Sequence, residues 1–332
     1  MLVESKFRAA WWLPGPHSQT LWPFLFKPRR LPRLRRERLE LPDGDFVDLC
    51  LTEHDGGPVI ALFHGLEGCV QSHYAARMLS AIHDRGWHGI FMHFRGCSGE
   101  VNRLDRSYHS GETGDIAFLL DTLAARNPDS PLFAIGYSLG GNALLKYLGE
   151  RGNDTPLTAA AAVSVPFLLA DGADRLNRGL SRLYQYRLIH SLQKKVLRKF
   201  NGRRQEYSVG EVARLNCFRD FDEHVTAPLH GFTGADDYYQ RSSSRQYLRD
   251  IRIPTLILHA RDDPFMTPDA IPGDDELPAS VRLELSRRGG HVGFVSGTVP
   301  GRPVYWLEQR IPAFLSEQIQ GARDKGQGTR EK

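Results

Sequence analysis

Over residues 58–167 the chain alternates short apolar runs with segments of helical spacing. "PVIALFHG" (58–65), "WHGIFMHFRG" (87–96), "SPLFAIGYS" (130–138) and "LTAAAAVSVPF" (157–167) read as strands that are apolar on both faces. Strands of that kind belong in a parallel sheet covered on both sides. The intervening "SHYAARMLSAIHDRG" (72–86) and "GETGDIAFLLDTLAARNP" (111–128), with "LGGNALLKYLGERG" (139–152), supply the covering helices. Ahead of them, "RERLELPDGDFVDLCLTE" has two alternating runs around Asp43-Gly44 and predicts a β-hairpin.

The alternation stops near Leu168. Residues 168–250 are polar, basic and helix-like, with Leu188, Ile189, Leu192, Val196, Leu197 and Phe200 on one helical face. Strands resume with "IPTLILHA" (253–260) and "VRLELSRR" (281–288), and the final "VYWLEQRIPAFLSEQIQ" is expected to kink or split at Pro312. The fold class is therefore α/β, a mostly parallel central sheet with helices on both faces and a helical cap insertion. The expected organisation is an N-terminal extension (1–34) packing on the core, a core of 35–167 and 251–320, the cap at 168–250 and a disordered tail at 321–332. Within the extension, "WWLPGPHSQTLWP" is expected to lie across the domain surface, and no physical argument from its residues makes it catalytic.

The 332 residues, 41% hydrophobic and 25% charged, suit a globular protein with a large core. Cys50, Cys69, Cys97 and Cys217 lie far apart with no C-x-x-C pair, which argues against a zinc ribbon or a disulfide framework. A reducing cytoplasm is the expected compartment. No secretory leader pattern is visible, and no apolar run approaches the roughly 20 residues of a membrane-spanning helix. The formal charge of +4 is concentrated in "KPRRLPRLRRER" (27–38) and "RLIHSLQKKVLRKFNGRR" (187–204). Such runs form either solvated faces or surfaces for peripheral contact with anionic lipid or an acidic substrate. Neither belongs to a nucleic-acid reading motif, so no nucleic-acid partner is expected. His83, His88 and His93 span a helix, a loop and a strand, which makes a metal cluster there unexpected.

The candidate chemistry centres on "GYSLG", Gly136 to Gly140. G-x-S-x-G by itself is a weak signal, equally compatible with a glycine-softened turn. Here it joins an apolar strand to a helix, the setting in which a serine Oγ stands clear of a sheet edge. A serine nucleophile needs a base, an orienting acid and an oxyanion hole. "TLILHA" runs into "RDDPF" and "RLELSRR" runs into "GGHVGF", so Asp262, Asp263 and His291 reach the same edge as Ser138. Asp263 is taken as the acid, with Asp262 the turn residue, and His291 as the base. The backbone N–H groups of Leu66, in "FHGLEG", and of Leu139 are the candidate oxyanion donors, while His64 shapes its loop. Arg95, in "FRGCSG", either lines the pocket or holds its loop through backbone carbonyls, the second being favoured.

"HSQT" (17–20), "LFHGLEG", "FMHFRGCSGE", "RSYHSGETGDI", "GYSLGGNALLKYLGE", "ARDDPF" and "GGHVGF" together resemble the α/β-hydrolase superfamily, and in finer pattern its YheT-like subgroup. The resemblance covers most of the chain outside the insertion. It implies esterase-type hydrolysis of acyl esters by Ser138, Asp263 and His291, with no cofactor and no metal. Eukaryotic relatives of that subgroup are associated with acylglycerol, phospholipid or medium-chain ester chemistry, including acyl transfer to alcohols. The expected partner is thus a small acyl ester, lipid-like or not. Acyl transfer with the same residues, or lipid-surface binding through the basic insertion, are the rival readings.

Overall fold

The structure is a computed structural model and describes residues 1–53, 56–201 and 204–328. Its main sheet has nine strands: β1 (Leu2–Glu4), β2 (Leu34–Glu40), β3 (Phe46–Thr52), β4 (Val59–Phe63), β5 (His88–His93), β6 (Leu132–Tyr137), β7 (Ala159–Val163), β8 (Thr255–Ala260) and β9 (Val281–Ser286). They lie in the order β1-β9-β8-β7-β6-β4-β5-β3-β2. All neighbours are parallel except β5 with β3 and β3 with β2, the predicted hairpin. Its turn closes through Leu41 N–H to the Asp45 carbonyl, with Gly44 at φ +83° in the left-handed position.

Both faces of the central strands are buried, which is why their apolar runs are continuous. Val59, Ala61 and Phe63 of β4 face a core shared with α3 (Gly114–Arg126) and α4 (Leu139–Arg151). Ile60 and Leu62 face the opposite core, shared with α2 (His73–His83) and the C-terminal helix Leu307–Gly328. Pro312 lies inside that helix and does not split it. Its position in the second turn removes one N–H while tertiary packing of Leu307, Ile311, Phe314 and Leu315 holds the backbone in place. The helix reaches Gly328, so residues 321–328 continue it where a disordered tail was expected, and 329–332 lie outside the described residues.

The N-terminal segment does more than cover the surface. β1 pairs in parallel with β9 and extends the sheet, and α1 (Pro16–Phe26) packs behind the loop that follows β9. Between β7 and β8 the chain is helical, including α5 (Leu169–Leu176) and α6 (Ser181–Phe200), with Ile189, Val196, Phe200, Phe218 and Tyr238 in a core of its own. The predicted apolar stripe of α6 faces that cluster, with Leu188, Leu192 and Leu197 partly buried against it.

Candidate active site

In a parallel sheet every strand delivers its C-terminal end to one edge. The register pairs Phe63 with Gly136 and Tyr137 with Val163, and Val163 in turn with Leu258. The loops after β4, β6, β8 and β9 therefore emerge side by side, carrying Leu66, Ser138, Asp263 and His291 respectively.

Ser138 sits between β6 and α4 with φ +51° and ψ −118°, a conformation that costs a non-glycine residue about 1–3 kcal/mol. The surrounding backbone accounts for the flanking glycines. A Cβ on Gly136 would lie 2.5 Å from the Gly140 carbonyl oxygen, and one on Gly140 would lie 2.5 Å from that of Phe63. No side chain fits either gap, so strand, helix and the 63–65 loop close together only with glycine at both places. Other strained residues border the site: Glu67, Ser164, Val292 and Phe294 all have positive φ.

His291 Nε2 lies 2.9 Å from Ser138 Oγ, and its Nδ1 lies 2.9 Å from Asp263 Oδ2. The other carboxylate oxygen, Asp263 Oδ1, accepts the Phe265 amide at 2.9 Å, which fixes the plane of the group. Asp262 turns the other way and accepts the Gly290 amide at 3.0 Å, holding the histidine loop rather than the imidazole. The Phe265 ring stacks on the imidazole with centroids 3.9 Å apart and planes within 3°. The amides of Leu66 and Leu139 make no hydrogen bond among the described residues and border the space in front of Ser138.

His64 is buried, with Nδ1 2.7 Å from the Gly65 carbonyl and Nε2 accepting the Phe94 amide at 3.1 Å. Burial pushes its pKa down to about 3, so the neutral ring staples the loop, as expected. Arg95 is buried too, but its partners are carboxylates rather than carbonyls: Asp115 at 2.6 Å, Asp43 at 2.7 Å and Asp45 at 3.2 Å. It ties its loop to the β2–β3 turn and α3, because a buried guanidinium needs compensating charge.

Two features escape sequence reasoning. The first is "HSQT", for which the residues alone give no argument for a role in the chemistry. Thr20 Oγ1 accepts the His291 amide at 2.9 Å, and the fully buried Gln19 bonds Val295 through both its side-chain oxygen and nitrogen. Together they clamp the histidine loop from behind. The second is Glu67, whose carboxylate takes hydrogen bonds from Tyr108 (2.8 Å) and Ser191 (2.7 Å) and an ion pair from Lys195. It joins the 64–68 loop to α6. An unpaired Ser/Thr or a Glu beside a loop carries no sequence signature of such distant partners.

Ser138 stands where two cavities meet. One, of about 100 Å³, is largely apolar and includes Leu139, Pro166, Leu169, Leu176 and Phe218 in its walls. Asp222 also borders it; burial pushes this carboxyl up to about 6, with Thr226 and Tyr239 hydroxyls as its partners. The other cavity, of about 760 Å³, opens outward between α1, α6 and the 65–74 segment.

Residues 58–298 match the family model described as alpha/beta hydrolase fold. The chain is 43% identical to "Putative esterase YheT" of Escherichia coli over 92% of this chain and 91% of that protein. It is 29% identical to human "Phospholipase ABHD3" over 96% of this chain and 80% of that one. Among solved structures, the Pyrococcus furiosus esterase Pf2001 superposes with a TM-score of 0.56 at 12% identity, covering 87% of this chain and 92% of that one.

Proposed function

Since the chain belongs to the α/β-hydrolase family, we propose that it is a serine esterase that cleaves carboxylic esters through an acyl-enzyme on Ser138. The observation that carries this reading is the unbroken relay from Asp263 through His291 to Ser138, ending where an apolar cavity meets an open one. His291 Nε2 takes the Ser138 proton as Oγ attacks the ester carbonyl, and Asp263 holds Nδ1–H and stabilises the resulting imidazolium. The Leu66 and Leu139 amides receive the oxyanion, each worth about 10²- to 10³-fold in rate. His291 then protonates the departing alcohol, and a water activated by the same imidazole releases the acid. None of these steps draws on a cofactor.

The small apolar cavity suits an acyl chain and the large open one the alcohol part, in keeping with a lipid-like ester and with the name of the phospholipase relative. In this reading residues 168–250 act as a cap whose inner face, through Leu169, Leu176 and Leu188, shapes acyl selection. The cysteines are free, which suits a reducing cytoplasm, and no helix among the described residues is long and apolar enough to cross a membrane. The test is labelling by a fluorophosphonate probe together with turnover of p-nitrophenyl esters of increasing chain length. Labelling confined to Ser138, with both activities lost in Ser138→Ala, is the expected result. A folded preparation that hydrolyses esters but is not labelled at Ser138 sinks the reading. The open cavity also admits a second reading, transfer of the acyl group to an alcohol. Transfer product above simple partitioning between alcohol and water would favour it.

A further inference from the structure

Half of the large hydrophobic side chains exposed among the described residues lie on two neighbouring segments, α1 and the start of α6. Leu25 and Phe26 on the first, and Leu180, Leu183 and Tyr186 on the second, are each 61–71% exposed. The two segments meet across the mouth of the large cavity. His17 Nδ1 lies 3.0 Å from the Tyr184 hydroxyl, and the Arg187 guanidinium sits 4.3 Å from the Phe24 ring centroid. Leu21, Leu180 and Leu183 also line that cavity, so the apolar rim is continuous with the path to Ser138.

The charge around this rim has one sign. Residues 16–36 and 175–205 contain no Asp or Glu. Arg29, Arg30, Arg182 and Arg187 are exposed, and none forms a salt bridge with a described residue. Elsewhere in the basic runs several cations are matched: Lys27 to Glu308, Arg33 to Glu53, Arg35 to Glu37, Arg38 to Asp48 and Glu100, Lys195 to Glu67, and Arg204 to Asp105, while Arg36, Lys194 and Arg198 form no salt bridge with a described residue. The basic runs are thus ion-paired in part, and Arg29, Arg30 and Arg187, joined by Arg182, place unmatched charge on the two segments that form the mouth.

We propose that this rim docks on the surface of an anionic lipid bilayer and turns the mouth of the cavity toward it. Exposed leucines and aromatic rings insert at the headgroup boundary, while the arginines meet lipid phosphates. A second copy of the chain is a poor occupant, because a self-complementary contact would set arginines against arginines. The docking does not depend on the chemistry at Ser138.

Vesicle flotation of the Ser138→Ala protein tests this without consuming lipid. Binding to phosphatidylcholine vesicles carrying a third of phosphatidylglycerol should exceed binding to phosphatidylcholine alone by about tenfold, and should weaken with salt. Leu25→Ser/Phe26→Ser/Tyr186→Ser should lose about tenfold or more in partitioning. None of the three lines the cavity, so in the Ser138 background this variant should turn over a short soluble ester normally, which also reports that it folds. Arg30→Glu/Arg182→Glu should be impaired alike, whereas Val209→Ser/Val299→Ser, on exposed apolar residues elsewhere, should bind as the parent does. A parent that does not float with anionic vesicles overturns the proposal, as does a triple variant that floats equally well. So does light scattering that shows a dimer which the triple variant splits. Because binding is read on the Ser138→Ala protein, its failure leaves the esterase reading intact, and failed labelling leaves docking intact.

Discussion

Thr20→Val isolates the clamp that α1 places on the histidine loop. Thr20 Oγ1 donates to the Pro16 carbonyl at 2.7 Å and accepts the His291 amide at 2.9 Å. Valine keeps the shape of threonine and removes the acceptor, leaving the buried His291 N–H without a partner. An orphaned buried amide costs about 1–3 kcal/mol. The loop already holds Gly290, Val292 and Phe294 at positive φ, so it relaxes readily once that bond is gone. If the whole cost is expressed as loss of the conformation that aims Nε2 at Ser138, turnover falls about 5- to 150-fold, at 1.36 kcal/mol per tenfold. Hydrolysis of p-nitrophenyl butyrate over a range of concentrations, with thermal unfolding in parallel, measures both effects. The loss should lie in kcat, and Thr20→Ser, which keeps the hydroxyl, should stay within about threefold of the parent. Wild-type kcat in Thr20→Val, or equal damage in Thr20→Ser, would refute the clamp.

The two neighbouring acids should separate cleanly. In Asp263→Asn the Phe265 amide still demands the side-chain oxygen, so the NH2 group is turned toward His291 Nδ1 and enforces the wrong tautomer. Turnover should drop by about 10³- to 10⁴-fold, while Asp262→Asn keeps an acceptor for Gly290 and should be far milder; the reverse order in steady-state kinetics would move the acid to Asp262. Asp222 gives a pH signature of stability. Its carboxyl is raised from 3.8 to about 6 in the fold, so the native state binds more protons than the unfolded chain between those values. Its contribution therefore becomes unfavourable as pH rises from about 4 to 6, reaching about 3 kcal/mol. Asp222→Asn should match the parent near pH 4 and exceed it at pH 8 in denaturant unfolding, and equal stability at both would contradict the shift.

The residues legible in advance share a property: their constraints are local. Gly136, Ser138 and Gly140 lie within one strand-to-helix turn, and the closeness of Phe63 and Gly141 to that turn follows from any parallel sheet of this order. Asp263 and His291 were legible because parallel strands send their C-terminal ends to one edge, so order along the chain becomes proximity in space. Asp263 separated from Asp262 only weakly in sequence, since both follow the same strand; the direction of each carboxylate is a matter of backbone turn geometry.

The roles of "HSQT", Glu67 and Arg95 required the folded chain. Thr20 and His291 are separated by 271 residues, and Glu67 and Lys195 by 128. A hydroxyl or carboxylate carries no mark of the partner it will meet at that distance. The same holds for charge. The runs 27–38 and 187–204 look alike as strings, yet several of their cations are neutralised by acids from other elements, and the packing of α1 against α6 sets unmatched arginines beside exposed leucines. Periodicity and turn chemistry are properties of a few consecutive residues and survive in one dimension. Which surfaces touch, and which charges remain unpaired, is decided when the sheet brings distant segments together.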